Sequence, residues 1–390
     1  MARGWRPLVE GEAKARAAAA VDLIADTLAA APPDDDGSLL GGSAGRAVFH
    51  AYLARARGGD AEQEAIAEAL LDHATGWAAS SSELGLFSGI TGVGWALSHL
   101  PGRCLPPDAG DPAEEIDLAL DDALAGAVDA PEIDLLRGLT GIGLYALERM
   151  PRPGAARVLG RVVALLEQHA ERDDDGARWW QIGHDGERAV NLGTAHGSPS
   201  IAAVLAGAAA VGVEPERARR LAERAVVGWL SHRDFAASGG IPLRFVPGKP
   251  AEPSRPSWCY GAPGVAAALM TTAASLGRDD WRRDALALAC HAAACPPDTV
   301  PVQDSCLCHG AGALAHLYAR LFQLTGDPAL GAAATEWLER TLTIRQPPAL
   351  GLLEGRAGVG LALVAAISDV DPAWDRLLIA SPAAQQYAAV

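Results

Sequence analysis

Gly89-Ile90-Thr91-Gly92-Val93-Gly94-Trp95-Ala96-Leu97 is a glycine-containing turn that runs straight into a helix of small and apolar residues. The same phrase recurs as Gly42-Ser43-Ala44-Gly45, Gly138-Leu139-Thr140-Gly141, Gly197-Ser198-Pro199-Ser200, Gly261-Ala262-Pro263-Gly264, Gly310-Ala311-Gly312-Ala313 and Gly355-Arg356-Ala357-Gly358, seven copies in all. Ser200 and Ala313 replace the usual second glycine with residues small enough to preserve packing. More charged segments with helical periodicity separate the copies, among them 61–79, 155–171, 215–231 and 279–294. Self-similarity of this kind marks a repeat architecture, in which each helix pair buries its apolar face only against neighbouring pairs. Seven pairs predict an all-α protein, an α/α toroid. The glycine-rich helices would form its inner ring, the Arg- and Glu-bearing helices its outer ring, and the turns one common mouth. Residues 1–390 are expected to form a single domain, with room for loops or a short hairpin around 172–192 and 232–257.

Composition points the same way. Aromatic residues are only 5% of the 390-residue chain, and valine and isoleucine form no alternating runs, which favours helix over strand. A formal net charge of -16 opposes attraction to nucleic acid or to an anionic membrane surface. The start, Met1-Ala2-Arg3-Gly4-Trp5-Arg6-Pro7, leads into a charged helical segment, and no apolar run approaches the roughly 18 residues of a membrane span. A soluble cytoplasmic protein without a nucleic-acid partner is expected. The runs Asp34-Asp35-Asp36 and Asp173-Asp174-Asp175 read as solvated turns.

Six cysteines are too few for a disulfide scaffold in a chain of this length, and four of them, Cys290, Cys295, Cys306 and Cys308, fall in one short region. Three repeat turns carry metal-competent side chains: Ala195-His196-Gly197, Trp258-Cys259-Tyr260-Gly261 and Cys308-His309-Gly310. Cys259 and Cys308 each stand two residues before their repeat glycine, and His196 and His309 directly before theirs. Superimposable repeats would bring them together. Two cysteines and one histidine suit zinc and leave a fourth tetrahedral position open, the mark of a catalytic site. The competing reading is that Cys259 and Cys308 are ordinary buried thiols. Cys306 is the alternative ligand, and Cys104, Cys290 and Cys295 are assigned to core or surface.

Taken in order, Asn191-Leu192-Gly193-Thr194-Ala195-His196-Gly197, Ser257-Trp258-Cys259-Tyr260-Gly261-Ala262-Pro263-Gly264 and Cys308-His309-Gly310 resemble the lanthionine synthetase C-like (LanC-like) family, over about residues 40–365. That resemblance implies an α/α toroid with one zinc per chain held by Cys259, Cys308 and His309. It further implies catalytic roles for Asp134, four residues before the third repeat glycine, for Arg255, four before Cys259, and for His196 and Tyr260. Read without the resemblance, His196 could be structural, Asp134 could orient a turn, and Arg255 could face solvent. The implied activity is addition of cysteine thiols to dehydroalanine or dehydrobutyrine in a dehydrated, ribosomally made precursor peptide, forming (methyl)lanthionine rings. His196 or a zinc-displaced acid would supply a proton, Asp134 would orient His196 and Arg255 would stabilise the enolate. A separate dehydratase is the implied partner, because nothing resembling a kinase or lyase domain precedes the repeats. No segment obviously matches the small β-domain of some bacterial members, which puts leader-peptide recognition by such a domain in doubt. Other readings are addition of glutathione to dehydrated proteins, a prenyltransferase-like thiol alkylation, and a zinc-stabilised scaffold for a dehydratase.

Overall fold

Helices of two kinds alternate along the chain in a computed structural model that describes residues 4–100, 110–126, 132–183, 185–235 and 240–382. Cys104 lies outside the described residues. Charged helices occupy α1 (Gly11–Ala30), α3 (Ala61–Ala78), α5 (Glu114–Ala125), α7 (Pro153–Gln168), α9 (Pro215–Leu230), α11 (Asp279–Ala293) and α13 (Pro328–Thr343). Glycine phrases open the helices between them: α2 (Ser43–Ala56), α4 (Ile90–His99), α6 (Leu139–Glu148), α8 (Ser198–Ala210), α10 (Ala262–Leu276), α12 (Ala311–Thr325) and α14 (Arg356–Ile367). Burial separates the two kinds. In α9 one stripe is covered, Ala218, Leu221, Ala222, Ala225, Val226 and Trp229, at the three- and four-residue spacing of an amphipathic helix. In α8 every residue from Ser198 to Ala208 is buried, which requires neighbours on all sides and explains why its side chains are small.

The glycine phrases solve a capping problem. None of the seven repeat glycines offers a side chain to the exposed N–H groups that begin its helix, so the preceding loop folds back and supplies carbonyls. Leu139 N–H donates to Glu132 O at 2.8 Å, and Ala311 N–H to Asp304 O at 2.9 Å. Wrapping this tight leaves no space for a β-carbon: one placed on Gly197 would lie 2.1 Å from Asn191 O, and one on Gly261 2.3 Å from Arg255 O. Both glycines have extended backbone, so close approach and not an unusual dihedral dictates the residue. In three of the loops a side chain six residues before the glycine also closes an Asx turn. Asp36 Oδ1 accepts from Ser38 N–H at 2.7 Å, Asn191 Oδ1 from Gly193 N–H at 3.0 Å, and Asp304 Oδ1 from Cys306 N–H at 3.0 Å.

The chain divides into two compact units. In the unit made of Met1–Glu83, Phe87–Ala113 and Pro296–Trp374, the buried helices α12, α14, α2 and α4 pack in succession, with α13, α1 and α3 against α12, α14 and α2. Their turns are joined by backbone hydrogen bonds, Cys308 N–H to Leu353 O at 3.0 Å, Leu352 N–H to Leu39 O at 3.2 Å and Leu40 N–H to Phe87 O at 2.8 Å. In the unit made of Leu84–Leu86, Glu114–Cys295 and Asp375–Val390, α6, α8 and α10 pack in succession, with α7, α9 and α11 outside them and α5 against α7. Here Leu135 N–H donates to Ala195 O at 3.0 Å and Ala195 N–H to Cys259 O at 3.2 Å.

The two long inter-repeat spacings of this second unit hold small sheets. Strands β1 (Glu171–Asp173) and β2 (Gly176–Arg178) form an antiparallel hairpin, its turn the exposed Asp174-Asp175. Strands β3 (Trp180–Ile182), β4 (Arg188–Asn191) and β5 (Arg244–Phe245) form an antiparallel sheet in the order β3-β4-β5. The loop after β3 is tied to β5 by Arg244, whose guanidinium holds the Asp185 carboxyl down to about 2. No helix among the described residues is long and apolar enough to cross a membrane.

Close approach at the turns predicts opposite outcomes for two glycine-to-alanine changes. Gly138→Ala places a β-carbon 2.2 Å from Glu132 O and should cost about 1–3 kcal/mol, the usual range for overpacking. Gly76→Ala, inside α3 with nothing within 4 Å, should stabilise by about 0.5–1 kcal/mol through helix propensity. Denaturant unfolding of both variants measures the difference.

Candidate active site and metal centre

Asp134 is buried at the loop that opens α6, and its carboxylate is divided between two tasks. Oδ1 accepts from the N–H groups of Arg137 at 2.8 Å and Gly138 at 3.1 Å, which fixes the side chain in its own turn. Oδ2 lies 2.8 Å from His196 Nδ1. A carboxylate only accepts here, so Nδ1 carries the hydrogen and Nε2 of the neutral ring is left with its lone pair. His196 side-chain exposure is 30%, enough for a substrate to reach the ring. Its backbone is held as well, because Gln181 Nε2 on β3 donates to His196 O at 2.8 Å. Tyr260 stacks on the imidazole, the ring centres 5.5 Å apart at 29°.

Cys259, one residue before Tyr260, belongs to a turn organised by buried Ser257. The serine Oγ accepts from Tyr260 N–H at 3.2 Å and lies 3.7 Å from Cys259 Sγ. Ligand atoms of Cys259, Cys308 and His309 all lie within 4.8 Å of one another, a cluster that could hold a metal ion. Two sulfurs bound at about 2.3 Å to one tetrahedral zinc stand about 3.8 Å apart, so this donor set fits. Asp304, Cys306 and His309 form a second such group that shares the histidine. Burial, reinforced by its hydrogen bond to Asp304, pushes the Cys306 thiol up to about 12. Cys259, Cys290, Cys295, Cys306 and Cys308 form no disulfide.

Asp134, His196 and Tyr260 line one cleft of about 1280 Å³. Its walls also include Trp180, Asn191 and Arg137. Arg188 sits 4.3 Å over the Trp180 ring while pairing with Glu171 at 2.7 Å, and Arg244 is occupied by Asp185 and Glu252, each at 2.7 Å. Arg255 is exposed and does not belong to this lining. The structure therefore joins three of the four expected catalytic side chains in one cavity and leaves Arg255 outside its walls.

The sequence model of the lanthionine synthetase C-like protein family matches residues 33–379. The chain belongs to this family. Among solved structures it is similar to nisin cyclase, with 17% identity and a TM-score of 0.75 over 93% of this chain and 97% of the other. No curated protein sequence matches it. The structural likeness shows the fold of this LanC-like chain to be the α/α toroid, built from alternating buried and charged helices.

Several cleft residues of this LanC-like protein had no signal strong enough to assign them a role. Gln181 and Trp180 sit on a strand too short to show alternation. Arg137 is a single arginine in the turn before a repeat helix, and Asn191 was visible only as part of a motif. Position six before a repeat glycine, occupied by Asp36, Asn191 and Asp304, was the available clue. The double duty of Asp134 is open to test. Asp134→Ala should lose about 1–3 kcal/mol of stability by stripping an acceptor from a buried turn, whereas Asp134→Asn, which keeps an oxygen for those N–H groups, should lose much less. Urea unfolding separates the two.

Proposed function

We propose that this LanC-like chain is a zinc-dependent lanthipeptide cyclase. It adds cysteine thiols to dehydroalanine or dehydrobutyrine in a dehydrated precursor peptide and forms (methyl)lanthionine rings. The observation that carries this reading is the cluster of two cysteines and one histidine, whose first cysteine adjoins the Tyr260–His196–Asp134 constellation in sequence. Family membership and the likeness to nisin cyclase support it. Cys259, Cys308 and His309 would hold one zinc, whose charge favours the thiolate form of a substrate cysteine over the thiol that dominates at neutral pH.

The chain's own residues account for the proton. As the C–S bond forms at the β-carbon, the alkene π pair moves toward the carbonyl and the α-carbon must take up a proton. The Nε2 lone pair of His196 is placed to take up the proton that the substrate thiol releases and to deliver it to the α-carbon, with Asp134 holding the opposite nitrogen and stabilising the ring while it is charged. The thiol hydrogen is lost and the α-carbon gains one, so mass is conserved. Tyr260 contributes a hydroxyl to the same cleft, and Arg255 is assigned to the enolate from outside that lining. Because the substrate must arrive already dehydrated, a separate dehydratase is the proposed partner, in the cytoplasm. Residues 1–390 are proposed to act as one domain.

Elemental analysis should find one zinc per chain. Cys259→Ala, Cys308→Ala and His309→Ala should each lower that content and Cys290→Ala should not; unchanged zinc in all three ligand variants removes the site. His196→Ala should keep zinc but slow cyclisation by about 10²–10⁴-fold, as for loss of a general acid–base group.

Mass spectrometry of a dehydrated, cysteine-containing precursor tests the reaction itself. Intact mass should stay constant while free thiol disappears, and each ring formed in D₂O should take one deuterium at the former dehydro carbon. A glutathione adduct or an added isoprenoid would instead identify one of the other thiol chemistries. Equal rates and equal stereochemistry with and without the zinc enzyme would leave only a scaffold.

A further inference from the structure

Strand β3 lies at the edge of its sheet and pairs on one side only, with β4. Two hydrogen bonds reveal which of its main-chain groups face outward. Gly183 N–H donates to Glu187 O at 2.8 Å. In the register Trp180↔Val190, Gln181↔Ala189, Ile182↔Arg188, the pairs that exchange hydrogen bonds are therefore the alternate ones, Gly183 with Glu187 and Gln181 with Ala189. On the far side of β4, Leu192 N–H donates to Leu243 O at 3.1 Å, which turns the main chain of Val190 toward Phe245 of β5 and away from Trp180. The N–H and C=O groups of Trp180 and Ile182 thus point away from the sheet, and no group among the described residues pairs with them there.

Trp180-Gln181-Ile182 carries neither the charge nor the proline that ordinarily blunts a sheet edge. Ile182, 71% exposed, is the most exposed large apolar residue among the described residues. The strand is nonetheless held in place. Arg188 sits over the Trp180 ring, and Arg244 ties Asp185, just past the strand, to Glu252. All three residues of β3 line the cleft, and the Gln181 side chain, on the face opposite Trp180 and Ile182, reaches His196 O.

We propose that the open edge of β3 is where the substrate docks: an extended segment of precursor peptide adds to it as a further strand, its main chain pairing with Trp180 and Ile182. The inference rests on the cyclase reading for the identity of the peptide. An extended chain brings the unpaired N–H and C=O groups that this edge lacks, and pairing through the main chain is indifferent to side-chain sequence. Addition to a strand also sorts the peptide's side chains, sending every second one to the face from which Gln181 reaches His196.

The probe is a short synthetic peptide with one dehydroalanine and with serine in place of cysteine, so that it binds but closes no ring. Fluorescence anisotropy measures its affinity for the zinc-loaded parent protein, with an N-methyl group placed at each residue in turn. Methylation at two residues, two positions apart, should each weaken binding about 10-fold through loss of one hydrogen bond, and methylation between them should not. Ile182→Pro removes an outward N–H without touching the β4 ladder and should weaken the unmethylated probe by a similar factor. Circular dichroism verifies the fold of that variant, and if it does not fold the methylation series on the parent decides. Uniform or absent methylation effects overturn the proposal, as does failure of the probe to bind, or a folded Ile182→Pro that binds it as the parent does. A second copy of the chain is the other occupant such an edge admits; a parent dimer in sedimentation that Ile182→Pro makes monomeric, with probe binding intact, also overturns it. Ring closure by the parent is read separately on the cysteine-containing peptide. Alternation without ring closure counts against the cyclase reading and leaves the docking site standing; ring closure without alternation does the reverse.

Discussion

Backbone hydrogen bonds that join one glycine turn to the next hold the chemistry of this protein in place. In the unit that carries α6, α8 and α10, Leu135 donates to Ala195 and Ala195 donates to Cys259, a ladder of three successive repeats. Asp134 adjoins the first rung, His196 the second and Tyr260 the third. Their relative positions are thus set by main-chain geometry, which side-chain repacking disturbs little. Cys308 sits on the corresponding ladder of the other unit, through its bond to Leu353. The ladder exists because the loops wrap tightly over the helix starts, and the loops wrap tightly because glycine leaves room for a carbonyl at little more than 2 Å from where a β-carbon would stand. Loss of that room would move three side chains of the cleft together.

The same dependence explains which parts of the molecule the sequence displayed. Helical periodicity over 215–231 corresponds to α9 at Pro215–Leu230, and 279–294 to α11 at Asp279–Ala293, because a stripe of buried residues repeats often enough there to be seen. The glycine phrases were visible for a different reason: seven turns solve one steric problem in one way. Strands of two to four residues carry no such periodicity, so β1 to β5 could be anticipated only as room for a hairpin. The cysteines and histidine of the cluster stood out through their place relative to the repeat glycines. Asn191 and Gln181 did not, since their partners Tyr260 and His196 lie 69 and 15 residues away in the chain, and nothing local records the pairing.

Charge is distributed so that the cleft's arginines are mostly spent on structure. Arg188 stacks on Trp180 and pairs with Glu171, while Arg244 ties the loop of Asp185 to that of Glu252. Both hold short strands that have few backbone bonds of their own, a task for which a planar five-donor group suits better than lysine. The His196 imidazole, by contrast, has one nitrogen engaged by Asp134 and exposes the lone pair of the other to the cleft, where it can accept a proton.

A single device is used at two points of the site. Asp134 gives one carboxylate oxygen to the N–H groups of its own turn and the other to His196; Asn191 gives its amide oxygen to Gly193 and its amide nitrogen to Tyr260. In each case the end buried in the turn settles the identity of the end that faces the active group. A carboxylate at 134 can only accept, which places the hydrogen on His196 Nδ1. A carboxamide at 191 whose oxygen is already engaged by Gly193 donates from its nitrogen to Tyr260 Oη. Asp36 and Asp304 close equivalent Asx turns before their own repeat glycines, so the device originates in the repeat. The turn chemistry that starts a helix in several repeats has, in the fourth, acquired a second face. There the side chain that closes the turn also holds a residue of the cleft.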